Sequence, residues 1–322
     1  PCSIYGSNQS AAVRGVCEAT GVKPADVFSG GIQPNPYIAN TTGGNPALSP
    51  ESSNTITVGV VLTPRFVRNL ALSIDYYDID VTGAIEPLSG GIGGVLQNCY
   101  YTLQAANSAY CQAIQRDPST GQIVDVNVGE ANAGALKTEG VDFDGQYRHE
   151  LPWGLFGVFG RSSAIQVSSD WTWVKEATLI PIKEQPSVRY ECVGAFGPTC
   201  QEPTPSLKGI TRLTWDNGTV SVSLRYRFIN SVTVDKYLLP LRSGGTVPPL
   251  NTLTNPVLPS ANYLDLSATW DVNAQLTLTG GVNNVNGWGP PIVGSSQGYG
   301  NTWPATYDPY GRTFFFDLKA RF

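Results

Sequence analysis

The 322-residue sequence contains no Met and one His, and Asp, Glu, Lys and Arg together make up only 14% of it. So low a charge, beside 35 Gly and 24 Pro, argues against a helical bundle, which is built from Ala, Glu, Lys and Leu. The net charge is −5 and no Lys/Arg run occurs, so the electrostatic footprint of a nucleic-acid binder is missing. A single His and unclustered Cys leave no zinc pattern, and no metal or cofactor is expected. No apolar run nears the roughly 18 residues of a membrane helix, and the opening residues carry no signal-peptide pattern. Absence of Met and a start at Pro1 lead us to expect a processed chain or a fragment, with essential parts upstream.

What is present is a long chain with an even number of cysteines. The length suits two average domains or one large β domain. Six Cys allow 15 connectivities. In sequence they form three close pairs, Cys2/Cys17, Cys99/Cys111 and Cys192/Cys200, each inside a Gly/Pro/Asn-rich stretch without strand pattern. Neighbour pairing is the simplest expectation, and it points to an oxidising compartment such as a cell surface or periplasm. Free cytosolic thiols are the alternative, but free Cys usually sits buried in core elements rather than in loops.

The period-2 signal recurs along the chain. Val220, Val222, Leu224, Tyr226 and Phe228 share one face, and Ser221, Ser223, Arg225 and Arg227 the other. Leu264, Leu266, Ala268 and Trp270 oppose Tyr263, Asp265, Ser267 and Thr269, and Phe314, Phe316, Leu318 and Ala320 oppose Phe315, Asp317, Lys319 and Arg321. The pattern predicts nine strands, at about 55–64, 70–82, 133–149, 155–175, 206–216, 218–230, 261–271, 274–284 and 311–322. Short turns, including the hairpin signal Asp216-Asn217-Gly218, alternate with long loops at about 83–132, 176–205, 231–260 and 285–310. Residues 1–54 read as a further loop segment leading into the strands at 55–322. Short turns at one end and long loops at the other describe an up-and-down antiparallel meander, as in transmembrane β-barrels with short periplasmic turns and long extracellular loops. Every Cys falls in a long loop, and Trp153, Trp215 and Trp270 fall at the short-turn side, where an interfacial girdle would stand. A soluble β-sandwich shares the period, but loops of similar length at both ends are its usual mark.

Five motifs carry a family resemblance. Asn45-Pro46-Ala47-Leu48-Ser49-Pro50-Glu51-Ser52-Ser53-Asn54-Thr55 resembles the stretch that precedes a strand in TonB-dependent outer-membrane receptors. The run Leu72–Val81, with Asp75-Tyr76-Tyr77-Asp78-Ile79, is similar to the strand that follows it there, and Gly140-Val141-Asp142-Phe143-Asp144 to a later one. Gly281-Val282-Asn283-Asn284-Val285 with Pro290-Pro291 resembles the penultimate strand, and Tyr310 through the terminal Phe322 the closing strand. The motifs stand in the family's order. The resemblance implies a barrel of 22 strands plugged by an N-terminal domain, of which this chain is the C-terminal part. It further implies energy from TonB through that plug, surrounding lipid and lipopolysaccharide, and a terminal Phe322 read by the outer-membrane assembly machinery.

No enzyme is expected. His149 lies beside Arg148 and Glu150 at a strand end, where a solvated turn residue suffices. Asp78 and Asp80 share a strand face with Asp75 on the other, a possible calcium cluster but equally the lining of a wet face. Arg225 and Arg227 are expected to face the lumen, with a plug contact, an anionic substrate and plain solvation all open. Among loop aromatics, Tyr37, Trp288, Tyr299 and Trp303 are the substrate-binding candidates, since such rings stack on sugars or aromatic chelators; they can equally pack the loops together. The expected function is active uptake of a scarce nutrient across the bacterial outer membrane, a ferric siderophore, an oligosaccharide or a similar solute. A passive porin or adhesin barrel is the alternative that an upstream sequence without a plug would favour. A soluble secreted β-sandwich binding module is the one that extraction without detergent would favour.

Overall fold

The structure is a computed structural model that describes residues 1–322 except 7, 35–36, 89–90, 133, 153–161, 184 and 294–300. By internal contacts the chain divides into two compact units. Pro1–Asn54, Asp80–Leu136 and Leu179–Tyr190 form the first, and Thr55–Ile79, Lys137–Thr178 and Glu191–Phe322 the second.

Among the described residues, nine long strands dominate. They are β1 (Ser52–Leu62), β2 (Leu70–Thr82), β3 (Ala135–Leu151), β4 (Ser163–Ile180), β5 (Leu207–Asp216), β6 (Val220–Ile229), β7 (Ala261–Asp271), β8 (Leu276–Asn283) and β9 (Thr313–Ala320). They lie side by side in sequence order, β1 to β9, in one sheet, with the two-residue strand Tyr190–Glu191 beside β4. Every pair from β4/β5 to β8/β9 is antiparallel. The order of the long strands follows the sequence-based expectation; the first strand starts three residues early, and β4 runs to Ile180. The start expected for β4, and the Trp153 girdle position, fall partly or wholly outside the described residues. Among the described residues the path is open: β1 and β9 are its ends, and no strand joins them.

Register explains the alternation. Val167, Leu213, Leu224, Leu266, Val282 and Phe314 stand opposite one another across β4 to β9. Ile165, Trp215, Val222, Ala268, Gly280 and Phe316 form a second such row two residues away, on the same face. These apolar side chains are not a core: Leu266 is 44% exposed, Trp270 50% and Phe314 76%. The opposite face pairs hydroxyls, with Thr214 and Ser223 oxygens 2.6 Å apart and those of Thr269 and Thr279 3.1 Å apart. At the β5–β6 turn, the Asp216 carboxylate accepts from the Gly218 N–H at 2.7 Å, and Gly218 takes φ 80°, a conformation that costs a side chain.

The buried apolar cores lie mainly in the loop segments instead, with Ala261 and Tyr263 of β7 joining the second. In the first unit, Val13, Val16, Cys17, Val95, Cys99, Tyr100, Val126 and their neighbours pack together. Residues read from sequence as an extended loop hold the helix α1 (Ala11–Ala19), whose buried Val13, Val16 and Cys17 recur at helical spacing. Ser10 caps it by accepting from the Val13 N–H. Further on come α2 (Ile92–Gln97), a π-helical turn (Asn98–Leu103) and α3 (Ala109–Gln112). In the second unit, Phe196, Val232, Val234, Leu258, Ala261, Tyr263, Val293 and Tyr307 form a separate core, beside α4 (Asp235–Ser243).

All three expected disulfides are present: Cys2–Cys17 and Cys99–Cys111 in the first unit, Cys192–Cys200 in the second. They close loops with sequence separations of 15, 12 and 8 residues. Each such closure stabilises its segment by roughly 2–3 kcal/mol, and the first two place their sulfurs within the buried core of the first unit.

Candidate functional site

Where β6, β7 and β8 run into their long loops, the polar face carries a charge network. Arg225 on β6 faces Asp265 on β7 in register. Arg225 donates through Nε to Asp265 Oδ2 at 2.8 Å, and Arg227 through Nε to the same oxygen at 2.8 Å. Arg227 also donates through Nη2 to Asp265 Oδ1 at 3.2 Å and through Nη1 to Asp308 Oδ1, in the β8–β9 loop, at 3.0 Å. The backbone N–H of Asn284 completes the shell of Asp265 at 2.7 Å. Asp265, with its side chain 6% exposed, is therefore an acceptor whose oxygens are all in use. Two arginines and two aspartates leave the network formally neutral, and its chemistry is that of a clasp between wall and loop.

An aromatic cluster covers this clasp. Arg227 lies 4.5 Å from the centroid of the Tyr263 ring. The Tyr263 hydroxyl accepts from the Asp308 N–H at 3.1 Å. Trp288 meets Tyr263 edge-on with centroids 5.4 Å apart, and approaches Tyr307 at 6.1 Å. Asn284 positions Trp288 from both sides: its Oδ1 accepts from the Trp288 N–H at 2.9 Å and its Nδ2 donates to the Trp288 carbonyl at 2.7 Å. Burial pushes the Tyr307 phenol up to about 12, so it stays neutral at working pH. A second polar group occupies β2–β4. Glu139 accepts from Tyr76 at 2.9 Å and from Lys175 at 2.7 Å, while Lys137 donates to Glu176 at 3.3 Å.

The sequence-predicted residues fall in different places. Arg225 and Arg227 sit together in the clasp. Trp288 is in its aromatic cover, and Trp303 packs against the same core. Tyr37 is a strongly exposed residue of the first unit, Tyr299 lies outside the described residues, and Phe322 is fully exposed beyond the end of β9. Asp265, Asp308, Asn284 and Tyr263 were missed. Their signal was the polar phase of β7 set against the two arginines of β6, but only the register of the hairpin could join them. Among the described residues, no group of three or more His, Cys, Asp or Glu is arranged to hold a metal ion. Among the described residues no helix is long and apolar enough to cross a membrane, which says nothing of β-strands.

Comparison with known proteins decides the family. Residues 19–285 match the family model described as TonB dependent receptor-like, beta-barrel. The chain belongs to that family. Its fold is similar to a mutant of the ferric enterobactin receptor from Pseudomonas aeruginosa in complex with enterobactin, with TM-score 0.53, 17% identity, and 88% of this chain and 33% of that chain covered. A second mutant of that receptor gives TM-score 0.50 at 17% identity, with 87% and 32% covered. The siderophore receptor PirA from Acinetobacter baumannii gives 0.49 at 15% identity, with 87% and 33% covered. The chain thus spans about a third of the length of the solved structures it matches. Among curated proteins none matches.

One face of the sheet carries aromatic side chains near both ends of its strands. Trp171 stacks near Phe228, centroids 5.8 Å apart, over Gly209, where any Cβ would run into the indole. Trp215 and Trp270 stand at the short-turn end of the same face. Paired aromatic belts flanking an apolar band are the pattern of a strand-crossed bilayer.

Proposed function

We propose that this chain forms wall and loops of a receptor in the bacterial outer membrane, one that takes up a scarce nutrient by active transport. The observation that carries the reading is the reversal of burial. Rows of Leu, Val, Phe and Trp cover one sheet face and stay exposed, while the buried cores sit mainly in the loops. In water such a face would be covered or would aggregate; in lipid it is the stable arrangement. In this reading, residues 55–322 are the C-terminal barrel wall and residues 1–54 an extracellular segment leading into it. Val222, Leu224, Leu264, Leu266, Leu276 and Leu278 face lipid and lipopolysaccharide, and Arg225, Arg227 and Thr277 face the lumen. The disulfide-bearing loops lie at the cell surface. Tyr37, Trp288, Tyr299 and Trp303 serve as the aromatic contacts for a ferric siderophore, an oligosaccharide or a similar large solute. The remainder of the receptor supplies the plug and early strands, and TonB drives the plug. No step requires catalysis.

Deletion of the gene in its own bacterium, followed by uptake assays with radiolabelled ferric siderophores and oligosaccharides, tests this. The reading expects at least one solute whose accumulation is lost on deletion and is also abolished by a protonophore. Uptake that persists under the protonophore would replace active transport with passive diffusion.

A further inference from the structure

The first unit contains a cavity of about 430 Å³, within the range of small-molecule sites. Leu96, Ile38 and Ile123 line it with apolar surface, Tyr5 and Tyr101 with aromatic surface, and Arg116 with the only charged side chain among its lining residues. None of these residues takes part in the clasp.

Arg116 is held in place by neutral groups. Nη1 donates to the Gly121 carbonyl at 2.6 Å, and Nη2 to the Tyr100 hydroxyl at 2.7 Å. Nη2 also lies 3.4 Å from Cys2 Sγ, and Nε is buried without a partner. Among the described residues no carboxylate pairs with it, although each of the other arginines in an ion pair has one within 4 Å. A fixed guanidinium that is partly desolvated and not neutralised favours an anion, and with Nη2 engaged twice and Nε buried, the second N–H of Nη1 is the donor left for one carboxylate oxygen. Apolar and aromatic walls favour an organic anion over an inorganic one, since a fully hydrated phosphate would leave them wet. Two disulfides, Cys2–Cys17 and Cys99–Cys111, hold the segments that form the cavity, so little ordering remains to be done on binding.

We propose that this cavity binds a small aromatic monoanion, with its carboxylate on Arg116 and its ring against Tyr5 and Tyr101. The site stands apart from the transport reading: it needs neither a membrane nor TonB.

The test uses the natural full-length polypeptide purified in detergent, with benzoate as probe and benzyl alcohol as its neutral counterpart, followed by saturation-transfer NMR titration. Benzoate should bind saturably and benzyl alcohol at least about tenfold more weakly, the usual effect of a charge-assisted hydrogen bond. Arg116→Gln should weaken benzoate by a similar factor, and Arg116→Lys should restore part of it. Because Arg116 also supports the loop, Tyr5→Ala provides a variant at a 75% exposed position that leaves the fold intact. It should weaken benzoate several-fold with all three disulfides still formed by mass spectrometry. Equal binding of benzoate and benzyl alcohol, no saturable benzoate binding, or unchanged affinity in both Arg116→Gln and Tyr5→Ala would overturn the proposal.

Discussion

At the residue scale, Asp265 is the pivot of the clasp. It holds two guanidiniums and one backbone N–H. Asp265→Ala strands Arg225 and Arg227 beside each other and leaves Arg227 only Asp308. Removing one member of a largely buried ion pair costs about 3–5 kcal/mol. Partial exposure of the arginines puts the expected loss at the lower end. Limited proteolysis between Val285 and Arg312 should become faster in Asp265→Ala, while Asp308→Asn should accelerate it less. Asp235 offers a pH test in another loop. Burial raises its carboxyl, opposed by hydrogen bonds from the backbone N–H groups of Thr199, Cys200 and Lys236. A carboxyl raised on folding is best tolerated protonated, so its penalty is absent below the ordinary carboxylate value and grows as pH rises through the raised one. The melting temperature of Asp235→Asn relative to wild type should therefore improve from about pH 4 to about pH 7. A difference that shrinks over that window would contradict the burial argument.

At the element scale, the strands were legible because each side chain's phase is local. Val222 and Leu224 alternate with Ser221 and Ser223 whatever strand lies alongside. Helix α1 was not legible, since its stripe is only Val13, Val16 and Cys17 within nine residues, too short to separate from loop. The clasp was half legible. Arg225 and Arg227 were visible as a polar pair, but Asp265 and Asp308 lie 38 to 81 residues away and meet them only through hairpin register and loop packing. The cavity around Arg116 escaped for the same reason, being built from five separate stretches of chain. Two element-level outcomes follow from the phase of the strands. Leu224→Arg places a cation in the apolar row and should lower the level of assembled protein in the membrane, at about 2–4 kcal/mol near the bilayer midplane; Ser223→Arg, one residue away on the polar face, should leave that level near wild type. Deleting Phe322, beyond β9, should reduce surface assembly more than it changes solute binding by the receptor that does assemble. Protease shaving of intact cells reads the surface level, and a normal level after the deletion would contradict the assembly role.

At the scale of the whole molecule, the sheet is inside out by the standard of a water-soluble protein, and among the described residues β1 and β9 are the two ends of its strand order. Unpaired backbone groups and exposed Phe314, Phe316 and Leu318 on one strand are stable in lipid only if that edge is paired. If the proposed receptor reading holds, β9 and β1 are expected to pair with the remainder of the receptor. The central claim is that one face of this sheet meets lipid and the other water. Its most direct test is spin labelling of β6 at single positions from 220 to 226 in the full-length polypeptide reconstituted into bilayers, with collision rates measured for oxygen and for a water-soluble nickel complex. The account predicts a period of two, with oxygen access highest at Val222, Leu224 and Tyr226 and nickel access highest at Ser221, Ser223 and Arg225. An inverted phase, or low access to both reagents at Val222 and Leu224 as in a buried sandwich core, would contradict it.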